Sequence, residues 1–346
     1  MDMAKRFRES KIFWPSVIFL GILVFNMAVT RGEFLRITVV DGHFYGRMID
    51  IIRNGSKLML LSIGMTLVIA SGGIDISVGS VMAISGAIAC SVISGDILPF
   101  LGGNVAAAIL LALAAGALFG SWNGFLVARI SIQPMVATLI LLVAGRGIAQ
   151  LITGGKIITV RSEAYYFING GYILGLPVPV YIVAAVLVIT LLFTGRSAFG
   201  LFLASSGINE KSSRLAGIRV SRIKLLVYIF CAFTAAGAGL IESSGIRGAD
   251  CNNAGMFIEL DAILAVAIGG NLLSGGRFSI GASIFGALII QSITTTIYAI
   301  GVPPEIIQLV KALLVISICL IQSGEFKTLI FSLKAKKEIE KAVRES

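Results

Sequence analysis

Long uncharged runs separated by short polar segments set the pattern of this chain. Residues 12–30, 76–95, 97–128, 164–195 and 278–304 contain no Asp, Glu, Lys or Arg. A helix needs roughly 20 predominantly apolar residues to cross the hydrocarbon core of a bilayer. Each run is long enough for a span, and the longest also holds a loop. Along the whole chain the pattern predicts about ten spans, near 12–30, 52–71, 76–95, 105–128, 132–152, 178–194, 223–244, 257–273, 279–299 and 304–322. The expected fold class is therefore an all-α polytopic membrane protein. An even number of spans places both termini on one side.

Charge fixes which side. The polar island 195–224 holds Arg196, Lys211, Arg214, Arg219, Arg222 and Lys224 against one acid, Glu210. Basic residues concentrated in a short loop mark the cytoplasmic face. Further bases gather at residues 5–11 and in the tail 327–344. The expected organisation is a cytoplasmic N-terminus (1–11), a transmembrane domain (12–322) with a cytoplasmic loop at 195–224, and a basic cytoplasmic tail (323–346). Arg31, Arg36, Arg47, Arg53 and Lys57 dissent, because they would follow the first span on the outside. An amphipathic helix at the membrane interface accommodates Arg53 and Lys57.

Inside the island, residues 209–217 have the parts of one short helix. Asn209 suits an N-cap, and Glu210 complements the positive end of the helix dipole. Arg214 stands four residues after Glu210, and Gly217 can close the helix in a left-handed conformation. A short capped helix on the cytoplasmic face is a docking surface.

Composition agrees with the membrane reading. The 346 residues are 57% hydrophobic and 13% charged, against about 25% charged in soluble domains. A net charge of +10 would suggest nucleic acid in a soluble protein. Here anionic headgroups and cytoplasmic orientation explain it, and no nucleic-acid partner is expected. Cys90, Cys231, Cys251 and Cys319 show no metal-ligand spacing and read as small buried residues. His43 is the single histidine, and an isolated histidine is seldom a ligand. The basic N-terminus before the first apolar run lacks an A-x-A cleavage pattern and reads as a retained anchor.

Two glycine-rich interruptions stand out. SGGIDISVGS (71–80) sets Asp75 alone between seventeen uncharged residues before it and twenty after it. Broken helices line cavities in transporters, and an intramembrane acid is costly unless solvated or paired. The alternative is that Asp75 caps the next helix at the membrane edge. Gly72, Gly73, Asp75 and Ser77 are thus pathway or gating candidates. IGGNLLSGGRFSIGAS (268–283) is the second interruption, and its composition hints at an internal repeat. RGADCNNAG, with Asn252 and Asn253, is polar enough to touch a carbohydrate or a delivery protein, or else is a solvated loop. Arg146 reads as snorkelling or paired. Ala112, Gly116, Gly120 and Gly124 recur every fourth position, a stripe that lets helices approach closely.

Catalytic signatures are missing. Gly155-Lys156 is followed by Ile157 and lacks a glycine five residues before it, so no P-loop exists. Gly145 and Gly147 lack the third glycine of a dinucleotide fingerprint, and no H-E-x-x-H, C-x-x-C or G-x-S-x-G occurs. The chain is expected to be no enzyme and to hold no cofactor or metal. Energy for transport would come from an ion gradient or from another subunit.

GMTLVIASGGIDISVGSVMAISGA (64–87), GINEKSSRLAGIRVSRIKLLVYIFCAF (207–233) and ELDAILAVAIGGNLLSGGRFSIGASIFGALII (259–290) resemble the permeases of bacterial ribose-type, binding-protein-dependent ABC sugar importers. The resemblance runs over residues 55–322. It implies a vitamin-B12-importer-like (type II) arrangement in the bacterial inner membrane. It further implies a second permease subunit, an ATP-binding cassette subunit that binds ATP, and a periplasmic or lipid-anchored sugar-binding protein. Asn209, Glu210, Arg214, Leu215, Gly217 and Ile218 match the loop that couples such permeases to the ATPase. The GADCNNAG stretch and GVPPE (301–305) are similar to the galactofuranose-type permeases, which pair with a different permease; Cys251 departs from the alanine of that pattern. The competing class is an ion-coupled secondary transporter of a small polar solute, which would use Asp75 or Glu242 and need no docking helix.

Overall fold

Helices dominate the computed structural model, which describes residues 13–29, 32–40, 42–301, 303, 306, 308–313 and 316. They are α1 (Phe13–Val29), α2 (Arg47–Ala70), α3 (Val78–Ser94), α4 (Val105–Ala128), α5 (Pro134–Thr153), α6 (Glu163–Gly170), α7 (Val178–Arg196), α8 (Ala198–Ile208), α9 (Glu210–Leu215), α10 (Val220–Gly245), α11 (Ile258–Ile268) and α12 (Ile280–Ile300). The chain divides into two compact units, Met1–Thr295 and Thr296–Ser346. The readings for 1–11 and 323–346, and most of the span expected at 304–322, lie outside the described residues.

Among the described residues, six helices are long and apolar enough to cross a membrane: α2, α4, α5, α7, α10 and α12. α1 and α3 have 17 residues each. The segment expected to span at 257–273 contains only the 11-residue α11. At 1.5 Å per residue α11 is about 16 Å long, roughly half of a ~30 Å hydrocarbon core. Gly269 and Gly270 stop it, and a turn-rich stretch leads on to α12.

The core is built on α10. The small-residue stripe of α4 lies against it: β-carbons added at Gly116, Gly120 and Gly124 would meet Ala236, Tyr228 and Leu225 within about 3 Å. Gly64 of α2 sits against Cys231, and Gly239 of α10 sits against Met82 of α3. α2 is the most enclosed span, with every residue from Leu58 to Ala70 buried. α7 instead exposes Val188, Ile189, Leu191, Leu192 and Phe193, as expected of a helix facing lipid.

Of the basic residues that contradicted the orientation rule, Arg53 and Lys57 find partners inside the protein. α2 starts at Arg47, and its Lys57 pairs with Glu242 of α10. Arg53 Nε donates to the Asn169 carbonyl at 3.1 Å. These side chains join α2 to α10 and to α6. Among the described residues, three two-stranded pairings join the loops: β1–β2 (Thr38–Val40, His43–Tyr45), β3–β6 (Ile158–Thr159, Gly248–Ala249) and β4–β5 (Tyr172–Ile173, Leu176–Pro177). The second is long-range, with Ile158 opposite Ala249. His43 packs its ring 4.6 Å from that of Tyr172.

Candidate functional site

The first glycine interruption does break the helix. α2 ends at Ala70, Gly72 takes φ +81° and Gly73 N–H returns to the Val68 carbonyl at 3.1 Å. That left-handed angle needs glycine. Asp75 Oδ1 then accepts from Ser77 N at 2.9 Å and from Ser77 Oγ at 2.6 Å. Asn123 Nδ2 of α4 donates to the same Ser77 Oγ at 2.9 Å. Asp75, Ser77 and Asn123 are fully buried. Asp75 thus holds Ser77, the residue that precedes α3, inside the helix bundle, and no side chain caps the first turn of α3. A β-carbon on Gly73 would strike the Tyr228 hydroxyl. Tyr228 is eight residues into α10, about 12 Å from its start. Asp75 Oδ2, Asn123 Oδ1 and Tyr228 Oη are buried without a hydrogen-bond partner.

The second interruption is pinned by Asn271. Its Oδ1 accepts from Ser279 N at 2.7 Å, and its Nδ2 donates to Ser283 Oγ at 2.9 Å. Thr66 of α2 donates to that same Ser283 hydroxyl at 2.7 Å. The two interruptions touch. Gly276 N–H donates to the Ala70 carbonyl at 3.0 Å. A β-carbon on Gly275 would lie 2.9 Å from Gly72 N and 3.1 Å from the Gly207 carbonyl. Gly207, near the end of α8, is wedged so tightly against Ala70 and Gly276 that a β-carbon there overlaps both. Three chain segments thus meet where only glycine fits.

The short helix α9, expected from the sequence to dock a partner, leaves directly from this junction. The island is less of a loop than its polarity suggests, since the apolar α8 fills 198–208 before α9 begins. Asn209 takes an extended conformation, and its side chain accepts from Ser212 N at 3.0 Å. Glu210 Oε1 accepts from Arg214 at 2.6 Å and Oε2 from Lys224 at 2.6 Å. Burial pushes the Glu210 carboxyl up, but the bonds from Lys224 and Arg214 outweigh it and hold it below the usual carboxylate range. Gly217 takes φ +82° and donates to the Arg214 carbonyl, while Ile218 donates to that of Ser213, both at 3.0 Å. These two bonds form a Schellman closure. Leu215 is 91% exposed, leaving an apolar side chain at the tip.

RGADCNNAG folds back against the bundle. Gly255 approaches Gly79 so closely that a β-carbon would lie 2.8 Å from the Gly79 carbonyl. Arg146 of α5 donates to the carbonyls of Cys251 and Ala254, so it is paired. Non-helical backbone within a bundle needs such donors. Asp250 accepts from Asn253 Nδ2 at 2.8 Å and from the amides of Asn252 and Asn253. Those bonds, the side-chain one first, hold its carboxyl below the usual range. Asn252 accepts from Gln150 at 2.8 Å. Asn252 and Asn253 are exposed, whereas Asp75 and Ser77 are buried, and no hydrogen bond joins the two pairs. Sequence reading missed Asn123, Asn271, Tyr228 and Gly207. The one usable signal was for Asn123, an amide in an otherwise apolar helix interior.

The chain matches a family described as branched-chain amino acid transport system / permease component over residues 47–319. The galactofuranose transporter permease protein YtfT of Escherichia coli (strain K12) is 45% identical over 323 residues, 93% of this chain and 93% of that protein. The fructose import permease protein FruF of Bifidobacterium longum (strain NCC 2705) is 36% identical, covering 98% of this chain and 95% of that protein. The ribose import permease protein RbsC of Escherichia coli (strain K12) is 33% identical, covering 80% and 85%. No solved structure matches. The chain belongs to this permease family.

Proposed function

We propose that this chain, a member of that permease family and the permease subunit of an ABC sugar importer, is driven by an ATP-binding cassette subunit docked on α9. The cargo is a monosaccharide: a pentose, a hexose or a galactofuranose-like sugar. Galactofuranose, fructose and ribose permeases among the relatives support that range. A periplasmic or lipid-anchored binding protein delivers it, and a second permease, identical or related, completes the pathway. The arrangement is type II with about ten spans, both termini in the cytoplasm of a bacterial inner membrane. Lacking a P-loop, the chain leaves ATP to its partner.

One observation carries the mechanism: α9 is joined to both helix interruptions through Gly207. ATP-driven movement of the cassette pulls on α9, whose caps make it a rigid lever. The lever shifts α8, and Gly207 transmits the shift to Ala70 and Gly276 at once. The paired interruptions then move together, opening the route beside Asp75, Ser77 and Asn123. Gly72, Gly73 and Ser77 contribute backbone and small polar groups, so free sugar binds the permease weakly.

The test is reconstitution of the complete complex in liposomes with ATP inside and binding protein plus sugar outside. Uptake that tracks ATP hydrolysis and survives a protonophore supports the proposal. Uptake abolished by the protonophore, with hydrolysis unaffected, would transfer the chain to the ion-coupled class.

A further inference from the structure

A groove between α7 and α10 has the shape and chemistry of a lipid site. It encloses a cavity of about 330 Å³. Leu67, Thr190 and Val227 form its floor, each at most 3% exposed. Phe193, Phe199 and Leu226 form part of its rim, with the two phenyl rings 4.9 Å apart. Thr190 donates its hydroxyl to the Val186 carbonyl at 2.6 Å, so the lining makes no unmet polar demand. Such a cavity does not hold ordered water. Its lining suits an apolar occupant.

The polar end of the groove is just as specific. Arg196 follows Phe193 by three residues on α7, and Arg222 precedes Leu226 by four on α10. Each arginine therefore continues the groove-lining face of its own helix by one turn. Both are exposed, and neither takes part in an ion pair among the described residues. Along α10, Arg222 and the lining residue Phe233 are eleven residues apart, about 16 Å. That depth is about half of a ~30 Å hydrocarbon core, the reach of one leaflet. An apolar slot one leaflet deep, ending in two unpaired guanidinium groups, fits an amphiphile with an anionic head.

We infer that this groove binds an anionic phospholipid, with one acyl chain in the cavity and the phosphate held by Arg196 and Arg222. Guanidinium forks match phosphate oxygens, and juxtamembrane arginines attract anionic headgroups. The inference needs only that the chain lies in a bilayer, so it stands or falls independently of ATPase docking.

The experiment uses the full chain, purified, delipidated and titrated with phosphatidylglycerol or phosphatidylcholine of identical acyl chains. Bound lipid is counted by native mass spectrometry, and melting is followed in parallel. Wild type is expected to retain phosphatidylglycerol at least tenfold better than phosphatidylcholine and to melt higher in its presence. Arg196→Ser with Arg222→Ser should erase that preference while keeping the same melting point in phosphatidylcholine. Thr190→Trp, which fills the cavity, should reduce retention of both lipids. Equal retention of the two lipids by wild type overturns the inference, as does an undiminished preference in the arginine variant. A Phe193→Cys disulfide joining two chains would also overturn it, by assigning the groove to a second copy.

Discussion

Gly276 donates its amide to the carbonyl of Ala70 at 3.0 Å, joining two residues more than two hundred positions apart. The bond satisfies a carbonyl that α2 leaves open at its C-terminus. It also ties the stretch after α11 to the interruption that carries Asp75. Gly207 is wedged into the same junction.

Gly207→Ala should therefore damage the junction more than an ordinary glycine-to-alanine change on a helix, which usually helps by up to about 1 kcal/mol. The new methyl meets backbone atoms of Ala70 and Gly276 that cannot rotate away. Overpacking of this kind costs roughly 1–3 kcal/mol. A lowered melting temperature and at least tenfold slower uptake are expected. Wild-type uptake from Gly207→Ala would remove Gly207 from the transmission path.

On α9, Leu215→Asp and Gly217→Val separate surface from shape. Leu215 is almost wholly exposed, so the aspartate should leave insertion and melting unchanged while abolishing co-purification of the ATPase. Gly217 sits at φ +82°, where a β-branched residue costs roughly 1–3 kcal/mol. Gly217→Val should loosen the Schellman closure and uncouple hydrolysis from uptake. Normal ATPase retention in the Leu215→Asp chain would show that the cassette docks elsewhere.

Asp75 is expected to hold Ser77 in place and not to act as a proton carrier. Asn at this position keeps an acceptor for Ser77 N and Ser77 Oγ, so Asp75→Asn should retain substantial uptake. Asp75→Ala leaves both Ser77 groups without that acceptor in a buried place, at a cost of roughly 1–3 kcal/mol. The informative comparison is ATP-driven uptake by the two variants at equal expression. An Asn variant as inactive as the Ala variant would show that the carboxylate itself is required.

The Glu210 network sets a pH window. Its folded carboxyl titrates below the usual range, so the unfolded form binds the proton more readily. The stabilisation is complete above the ordinary glutamate pKa, about 4.3, and disappears as pH falls through the depressed folded value. Hydrogen exchange of the α9 amides should be free of any Glu210 step between pH 5 and 8. Protection should then fall at lower pH, and Glu210→Gln should remove that acid-side change. A Glu210-dependent change near neutrality would contradict this assignment.

Features set by neighbours along the chain were legible before the fold was known. The uncharged runs located α1, α3, α4, α7 and α12, because the cost of placing charge in lipid acts on each segment alone. α2, α5 and α10 stood out as apolar stretches despite the charges they carry, and the span expected at 257–273 holds only the short α11. Asn209, Glu210, Arg214 and Gly217 announced α9 because a cap, a dipole and a left-handed closure involve groups at most five residues apart. The stripe from Ala112 to Gly124 showed a packing face for the same reason, although its partner α10 was not readable.

Tertiary structure alone decided the rest. Nothing local brings Gly207, Ala70 and Gly276 together, or places Asn123 on Ser77 and Lys57 on Glu242. Each glycine could equally have served a turn, and each polar side chain could have faced water or lipid. Only when α2, α4 and α10 pack do these groups lose every alternative partner, because buried donors and acceptors must be matched inside the protein. The sequence by itself determined which segments are apolar enough to span a membrane and where the short capped helix α9 forms. The fold determined which broken ends meet, since that depends on contacts between residues far apart along the chain.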